Sequence, residues 1–474
     1  MHRKSSSQNT RSAPFWRWPR WRLAGANGWP INSVAMSFSG PLPGLPKKRP
    51  PPPRPHPPRT LAIQLLPESP LMNTTLKQPV KNRGLCLLGI GVLLFPSTSP
   101  SGGFRLPDQD AFATARGEAF AATADNPSAV YYNPAGLAQL RGHHVRGGVY
   151  AIWYESQYES PGGQTWDSDG KVHPVPQAFY AYGPEAWPMT FGFGVYSPYG
   201  LSQEWPQDVP FRQAALKGSI TSLTFNPSFA WRVAPAFSLG GGLTFNRAEA
   251  DLRQGLFPPP STGDQFRFQG DDTAWGWNLG LLWRVHSNLC FGATYRSSVE
   301  FNLEGSVTLT PALVPPGPGQ AGLPFPASMV VGVSWRPTPA WNLEVNVERT
   351  DWSKLKTLTV QSAFLPPAST PLNWEASYYY ELGITRHLKD GWRWSAGYIF
   401  NENSMPTPTY NPLVADVDKH FLSTGIGRSN RRWDFDVAYQ FGFSEKRTVV
   451  GTPLADGSYR FLSHALFVTV GTTF

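Results

Sequence analysis

The sequence predicts an all-β protein: a transmembrane antiparallel β-barrel of about 14 strands with a small N-terminal helical hatch in its lumen. Three observations carry this. Segments of about ten residues alternate apolar and polar side chains, separated by turn residues. Charged residues are only 15% of the chain, below the roughly 25% of soluble domains, while aromatics reach 14% with 19 Trp. The last alternating segment closes on an aromatic, Phe474, as outer-membrane assembly signals do.

The formal charge of +9 would by itself point to phosphate-bearing partners. Its distribution says otherwise. The first 102 residues hold 14 Lys and Arg and a single acid, Glu68; the rest of the chain is mildly acidic, so no nucleic-acid partner is expected. Residues 1–71 are rich in Pro, Arg and Trp and lack apolar periodicity, so they are expected to be a disordered leader upstream of a true start at Met72. Residues 72–101 read as a signal peptide. Lys77, Lys81 and Arg83 precede the apolar run Leu85 to Phe95, which is too short to span a bilayer as a helix, and small residues follow. Of two cysteines, Cys86 lies in this segment and Cys290 in the body, so no disulfide framework is expected.

The body, 143–474, carries the strands. Trp341, Leu343, Val345 and Val347 point one way and Asn342, Glu344, Asn346 and Glu348 the other. The stretches 432–444 and 466–474 repeat the pattern, as do 145–154, 176–183, 189–196, 219–233, 237–250, 275–285, 289–297, 327–336, 374–386, 392–400 and 419–428. A soluble sandwich would bury the apolar face; a membrane barrel turns it to lipid. Aromatics near segment ends (Trp153, Tyr154, Tyr378 to Tyr380, Trp392, Trp394) favour the barrel, because interfacial girdles need them there. At roughly 24 residues per strand and connection, the available length gives about 14 strands, and such a lumen is too wide for wall side chains to fill.

Residues 102–142 supply the filling. Ala111 to Ala124 is helix-prone and interrupted by Gly117; Asp125 or Asn126 can cap a second short helix, and Asn133-Pro134-Ala135-Gly136 marks a turn. With Gly103-Phe104-Arg105-Leu106 as a mature start, the Asn133-Pro134-Ala135 motif, and the ordered blocks Val195 to Trp205, Gln213 to Val233, Gly270 to Arg284, Ala293 to Gly305 and Trp341 to Leu355, the chain resembles the FadL family over 103–474. These are outer-membrane transporters of long-chain fatty acids and aromatic hydrocarbons. The sequence departs from the pattern in its leader and in Pro-rich loops at Pro258 to Pro260 and Pro311 to Pro326.

The resemblance implies passive transport with no cofactor and no covalent chemistry. External loops would capture a hydrophobic ligand, most simply a long-chain fatty acid. The lumen would bind it, and a hatch movement would release it laterally through the wall. Phe104 would be the moving plug tip, with Asn133, Pro134 and Ala135 shaping the hatch; the plainer reading of the last three is a simple turn. Tyr196, Tyr199, Trp205 and Phe211 are candidates for the capture groove, against the plainer reading of loop packing. The expected surroundings are outer-membrane lipid and lipopolysaccharide, and the expected state is a monomer. His143-His144 lacks a third residue at metal spacing, Gly240 to Gly242 lies within a strand pattern and not at a phosphate loop, and no Gly-x-Ser-x-Gly elbow occurs. The competing reading is a general diffusion porin or a structural barrel without lipid transport.

Overall fold

In a computed structural model, which describes residues 103–452 and 454–474, each alternating run becomes a strand with its polar face inward. The expected leader and signal segment lie outside the described residues. Val345 and Val347 are 50% and 40% exposed, whereas Asn342, Glu344 and Asn346 are each 1% exposed. This inversion of the soluble pattern means that the apolar wall faces lipid and the polar groups face the lumen.

The strands are β1 (Gly142–Glu159), β2 (Val172–Gly183), β3 (Met189–Tyr196), β4 (Lys217–Ala234), β5 (Phe237–Gln254), β6 (Gln265–His286) and β7 (Leu289–Arg296), followed by β8 (Ala327–Thr338), β9 (Trp341–Asp351), β10 (Ser377–His387), β11 (Trp392–Asn401), β12 (Lys419–Ser429), β13 (Trp433–Ser444) and β14 (Gly457–Thr473). Each pairs antiparallel with the next, and β14 closes on β1 from His144↔Thr473 to Glu159↔Ser458. No helix among the described residues is long and apolar enough to cross a membrane. Two-residue turns such as Pro235-Ala236 and Pro339-Ala340 sit at one end and long connections such as 297–326 and 352–376 at the other, so the former end is periplasmic and the latter external.

Two expectations change. The stretch from Pro311 to Pro326, read as a loop, contains the strand Gly317–Phe325. It pairs with Val299–Thr310, which in turn pairs with the outer half of β6 and extends the wall above the bilayer. Its inward positions, Gly317, Gly319, Ala321, Leu323 and Phe325, alternate with outward ones that include Pro318 and Pro324. The proline density hid an intact period of two. Second, Tyr154 and Tyr379 are not girdle residues: both turn into the lumen.

The hatch is less helical than its alanine content predicts. α1 spans only Ala111–Ala115; Gly117, Glu118 and Ala124 then take positive φ, which ends regular helix. α2 (Ala129–Tyr132) begins after Ser128, whose side chain makes no capping bond, and Asn126 closes the preceding turn by accepting from the Ser128 N–H at 2.8 Å. Pro134–Gln139 is a 3-10 helix capped by Asn133. The hatch lies against wall backbone: a Cβ at Gly240 of β5 would stand 2.4 Å from the Ala135 nitrogen, and one at Gly397 of β11 would stand 2.0 Å from the Gly117 nitrogen.

Candidate functional site

The hatch is fixed at its base by buried charge. Asp110 caps α1 and accepts from Arg146 of β1, whose guanidinium also meets Asp436 at 2.7 Å and Asp434 at 2.8 Å on β13. Arg393 of β11 reaches the same two aspartates, Asp434 at 2.6 Å and Asp436 at 2.5 Å. On the opposite wall, Glu344 of β9 accepts from the Ala122 N–H at 2.7 Å and from Thr123, and pairs with Arg116 at 3.4 Å. Asn133 donates to the Ala121 carbonyl at 2.7 Å and to the Leu281 carbonyl of β6 at 2.9 Å, and accepts from the Ala135 N–H. Asn133, Pro134 and Ala135 thus tie the hatch to β5 and β6.

The tip is held differently. Strand β3 stops at Tyr196, where Ser197-Pro198 turns the chain inward; Gly200–Glu204 then resumes pairing with β4 but not with β2. The outer half of β2, including Pro174 and Pro176, therefore has β1 on one side and, among the described strands, no partner on the other. Proline donates no N–H and is at home on such an edge. The hatch tip bonds to this kink: the Leu106 N–H donates to the Pro198 carbonyl and the Gly200 N–H to the Phe104 carbonyl, both at 2.9 Å. Arg105, between them, pairs with Glu348 of β9 at 2.7 Å.

Three spaces meet at this tip. A small apolar cavity of about 50 Å³ lies among the external connections and is lined by Phe104, Leu252, Leu303, Leu358 and Trp374. A second, of about 100 Å³, lies deeper and adds Tyr154, Ile399, Phe421 and the ammonium-bearing Lys419; Phe104, Leu201 and Val414 line both. The third, of about 680 Å³, is the gap in the wall between β2 and β4, and it shares Leu106, Ile152, Tyr154, Gly200 and Leu201 with the second. Residues 104–106 therefore separate an outer apolar chamber, a luminal chamber and a lateral window.

The sequence model described as "Outer membrane protein transport protein (OMPP1/FadL/TodX)" matches residues 92–473. The chain belongs to the FadL family. Among curated relatives of this FadL-family barrel, the long-chain fatty acid transport proteins of Salmonella typhi and of Escherichia coli K12 are each 24% identical, over 82% of this chain and 97% of theirs. In fold it is similar to a Pseudomonas aeruginosa FadL homologue (TM-score 0.67, 20% identity, 79% of this chain and 99% of that one). It is also similar to the Ralstonia pickettii toluene transporter TbuX (TM-score 0.63, 15% identity, 77% and 98%). It is an integral outer-membrane protein.

Within the FadL-family barrel the residues singled out from sequence divide into three groups. Phe104 is buried in an aromatic cluster, its ring centroid 4.8 Å from that of Trp352, 5.5 Å from Phe325 and 6.0 Å from Tyr199. Tyr199 thus joins the plug tip, and its hydroxyl donates to the Pro326 carbonyl at 3.0 Å. Tyr196 faces the hatch from the wall: it donates to Asn226, accepts from Arg296 and lies 5.1 Å from the Tyr131 ring of α2. Trp205 and Phe211 pack on each other at 5.1 Å in the external connections, with Phe211 4.8 Å from Tyr158. All four candidates are buried. His143 and His144 lie at the periplasmic rim, hydrogen-bonded to Tyr180 and to the Arg141 carbonyl.

Arg105 and Glu344 were named from the sequence only as part of a motif and of a polar face, and Arg146, Arg393, Lys419 and Asp436 were not assigned any role. The available signal was a charge on the polar face of an alternating strand, where a lumen filled only with water would not require paired ions.

The hatch also carries two carboxyls close together. Thr114 donates to Glu118 at 2.7 Å and to Asp108 at 3.3 Å, and Gln440 of β13 donates to Asp108 at 2.9 Å. Burial raises both above the ordinary carboxylate range, and the neighbouring Asp108 raises Glu118 further. A group raised in the docked state stabilises docking below its free pKa and loses that contribution as pH rises through the docked value. The hatch should therefore resist protease more strongly in mildly acidic than in alkaline buffer, and the Glu118→Gln variant should show a smaller difference. An unchanged profile in that variant would assign the effect to other groups.

Proposed function

We propose that this barrel carries long-chain fatty acids passively across the outer membrane. The ligand enters the outer apolar chamber, passes Phe104 into the luminal chamber, and leaves sideways through the gap between β2 and β4 as the hatch tip shifts. The observation that carries the reading is the shared lining of the three spaces by residues 104–106, which are bonded directly to the kink that makes the gap. A lateral exit spares an apolar chain the passage through a wet pore, where each exposed methylene costs about 0.8 kcal/mol. No covalent chemistry and no cofactor enter this scheme, and the barrel works as a monomer among outer-membrane lipids and lipopolysaccharide.

Lys419 favours a carboxylate-bearing cargo over an aromatic hydrocarbon. It stands at the wall of the luminal chamber with its ammonium 4.9 Å from the Phe461 ring centroid, beside Tyr154, Ile399 and Phe421. The neighbouring Asp416 and Asp418 accept from Ser404 and Asn403. The chamber is also lined by Arg105, Asp108, Gln203, Asn401 and Gln440, and a cation set beside its aromatic and aliphatic lining fits one negative headgroup with its chain. Purified protein should bind oleate, and Lys419→Met should weaken this about tenfold, equivalent to one charge-assisted hydrogen bond, while leaving the matching alcohol unaffected. Binding of alcohol and acid with equal affinity would remove the fatty-acid assignment. Large open-pore currents in a planar bilayer, with no oleate binding, would favour a general porin.

A further inference from the structure

The periplasmic rim carries a second feature, which transport does not use. Across β9 to β13 the outward face alternates tryptophan and arginine between neighbouring strands. Trp341, Arg386 and Trp394 lie in cross-strand register, as do Trp392, Arg428 and Phe435. The guanidinium carbon of Arg386 is 5.2 Å from the Trp341 ring centroid, that of Arg428 is 5.3 Å from Trp392, and that of Arg432 is 5.8 Å from Trp433. Lys389 and Arg431 extend the patch in the two turns, and all five cations are exposed. The carboxylates within the patch are Asp390, in the turn after β10, and Asp434, which is engaged inward by Arg146 and Arg393. Among the described residues none of the five cations has a carboxylate within ion-pair distance.

We propose that this arc binds the phosphodiester headgroups of anionic phospholipids in the periplasmic leaflet. An arginine stacked on an interfacial tryptophan is held at headgroup depth with terminal N–H groups left to donate, Arg428 giving only its Nε to the Asp390 carbonyl at 3.4 Å, and that edge matches phosphate oxygens. The patch continues directly into the lipid-facing wall at Leu382, Ile426 and Tyr439, so one molecule meets arginine with its headgroup and apolar side chains with its tails. A soluble acidic partner would leave the aromatic half of the surface unused. The polarity of the barrel agrees, since exposed positions toward the external end carry Glu249, Asp271, Glu300 and Glu304, the first two paired with Arg247 and the third with Lys354. That end is poorly suited to attract anionic lipid, and the periplasmic arc is well suited.

The test is lipid selectivity of the whole protein in phosphatidylcholine membranes, read from the motionally restricted fraction of spin-labelled phosphatidylglycerol against spin-labelled phosphatidylcholine. At low salt the preference for phosphatidylglycerol should be at least about threefold, falling with ionic strength. It should drop to near unity in R386Q/R428Q/R432Q and persist in R247Q, a control at the external end. Heat-modifiable gel mobility verifies that each variant has folded. Absence of preference in the unaltered protein, or preference unchanged in the triple variant, overturns the proposal. So does arginine-dependent binding of a soluble poly-glutamate peptide without lipid preference, which would point to a protein partner.

Discussion

Replacing Arg146 with glutamine is expected to convert a plugged barrel into a conducting one. Arg146 is fully buried and satisfies Asp110 of the hatch together with Asp434 and Asp436 of β13. Glutamine removes the charge and leaves Arg393 to serve the two wall aspartates, with Asp110 unpaired against them. Breaking a buried ion pair from one side costs about 3–5 kcal/mol. The undocked hatch should therefore become more populated by on the order of a hundredfold to several thousandfold. The wall ladder does not depend on this residue's side chain, so the barrel should still show heat-modifiable mobility. Single-channel recordings should show frequent large openings, and protease should cut near residues 105–125. A quiet channel with a protected hatch would mean that the Glu344 and Asn133 contacts suffice alone.

Filling the lateral window is expected to abolish uptake without abolishing binding. Thr221 of β4 faces Gly200 in register, is exposed, and lines the gap. Tryptophan at this position puts an indole across the proposed exit route, while the luminal chamber around Lys419 lies on the far side of Leu201 and Tyr154. Oleate uptake into cells should fall at least about tenfold, about 1.4 kcal/mol on the rate-limiting step, with oleate affinity nearly unchanged. Val345→Trp, also exposed, on β9 and remote from the gap, serves as the control. Normal uptake in Thr221→Trp would direct the exit route toward the periplasmic end.

The sequence made the barrel legible because lipid reverses an otherwise ordinary pattern. Each of the fourteen alternating runs became one strand, since a period of two survives any tertiary context that keeps one face apolar. What it hid was contact across distance. The run 189–196 ended where β3 ends, but gave no sign that Ser197-Pro198 would turn the chain inward and leave the outer half of β2 unpaired on one side, because a proline after a short run reads equally as an edge or a turn. The charged clasp joins residues about 36 and 290 positions apart, and no local spacing encodes such pairs. Phe104 was visible as a tip because of the family pattern; its neighbour Arg105, which pairs with Glu348, was not.

The positions of the hatch's partners constrain how the molecule can assemble. Ala111 donates to Thr469, Asp108 accepts from Gln440, and Asp110 is engaged by Arg146, itself held by Asp436. These groups come into range only when the last strands stand beside the first. Closing loops of several hundred residues gives no return until the final contacts form. The hatch, made before every strand, is thus the last to find its place, and any chain stalled before β13 would present a loose hatch and an unguarded opening. Quality control of this barrel therefore has a natural readout: whether its earliest residues have disappeared from protease.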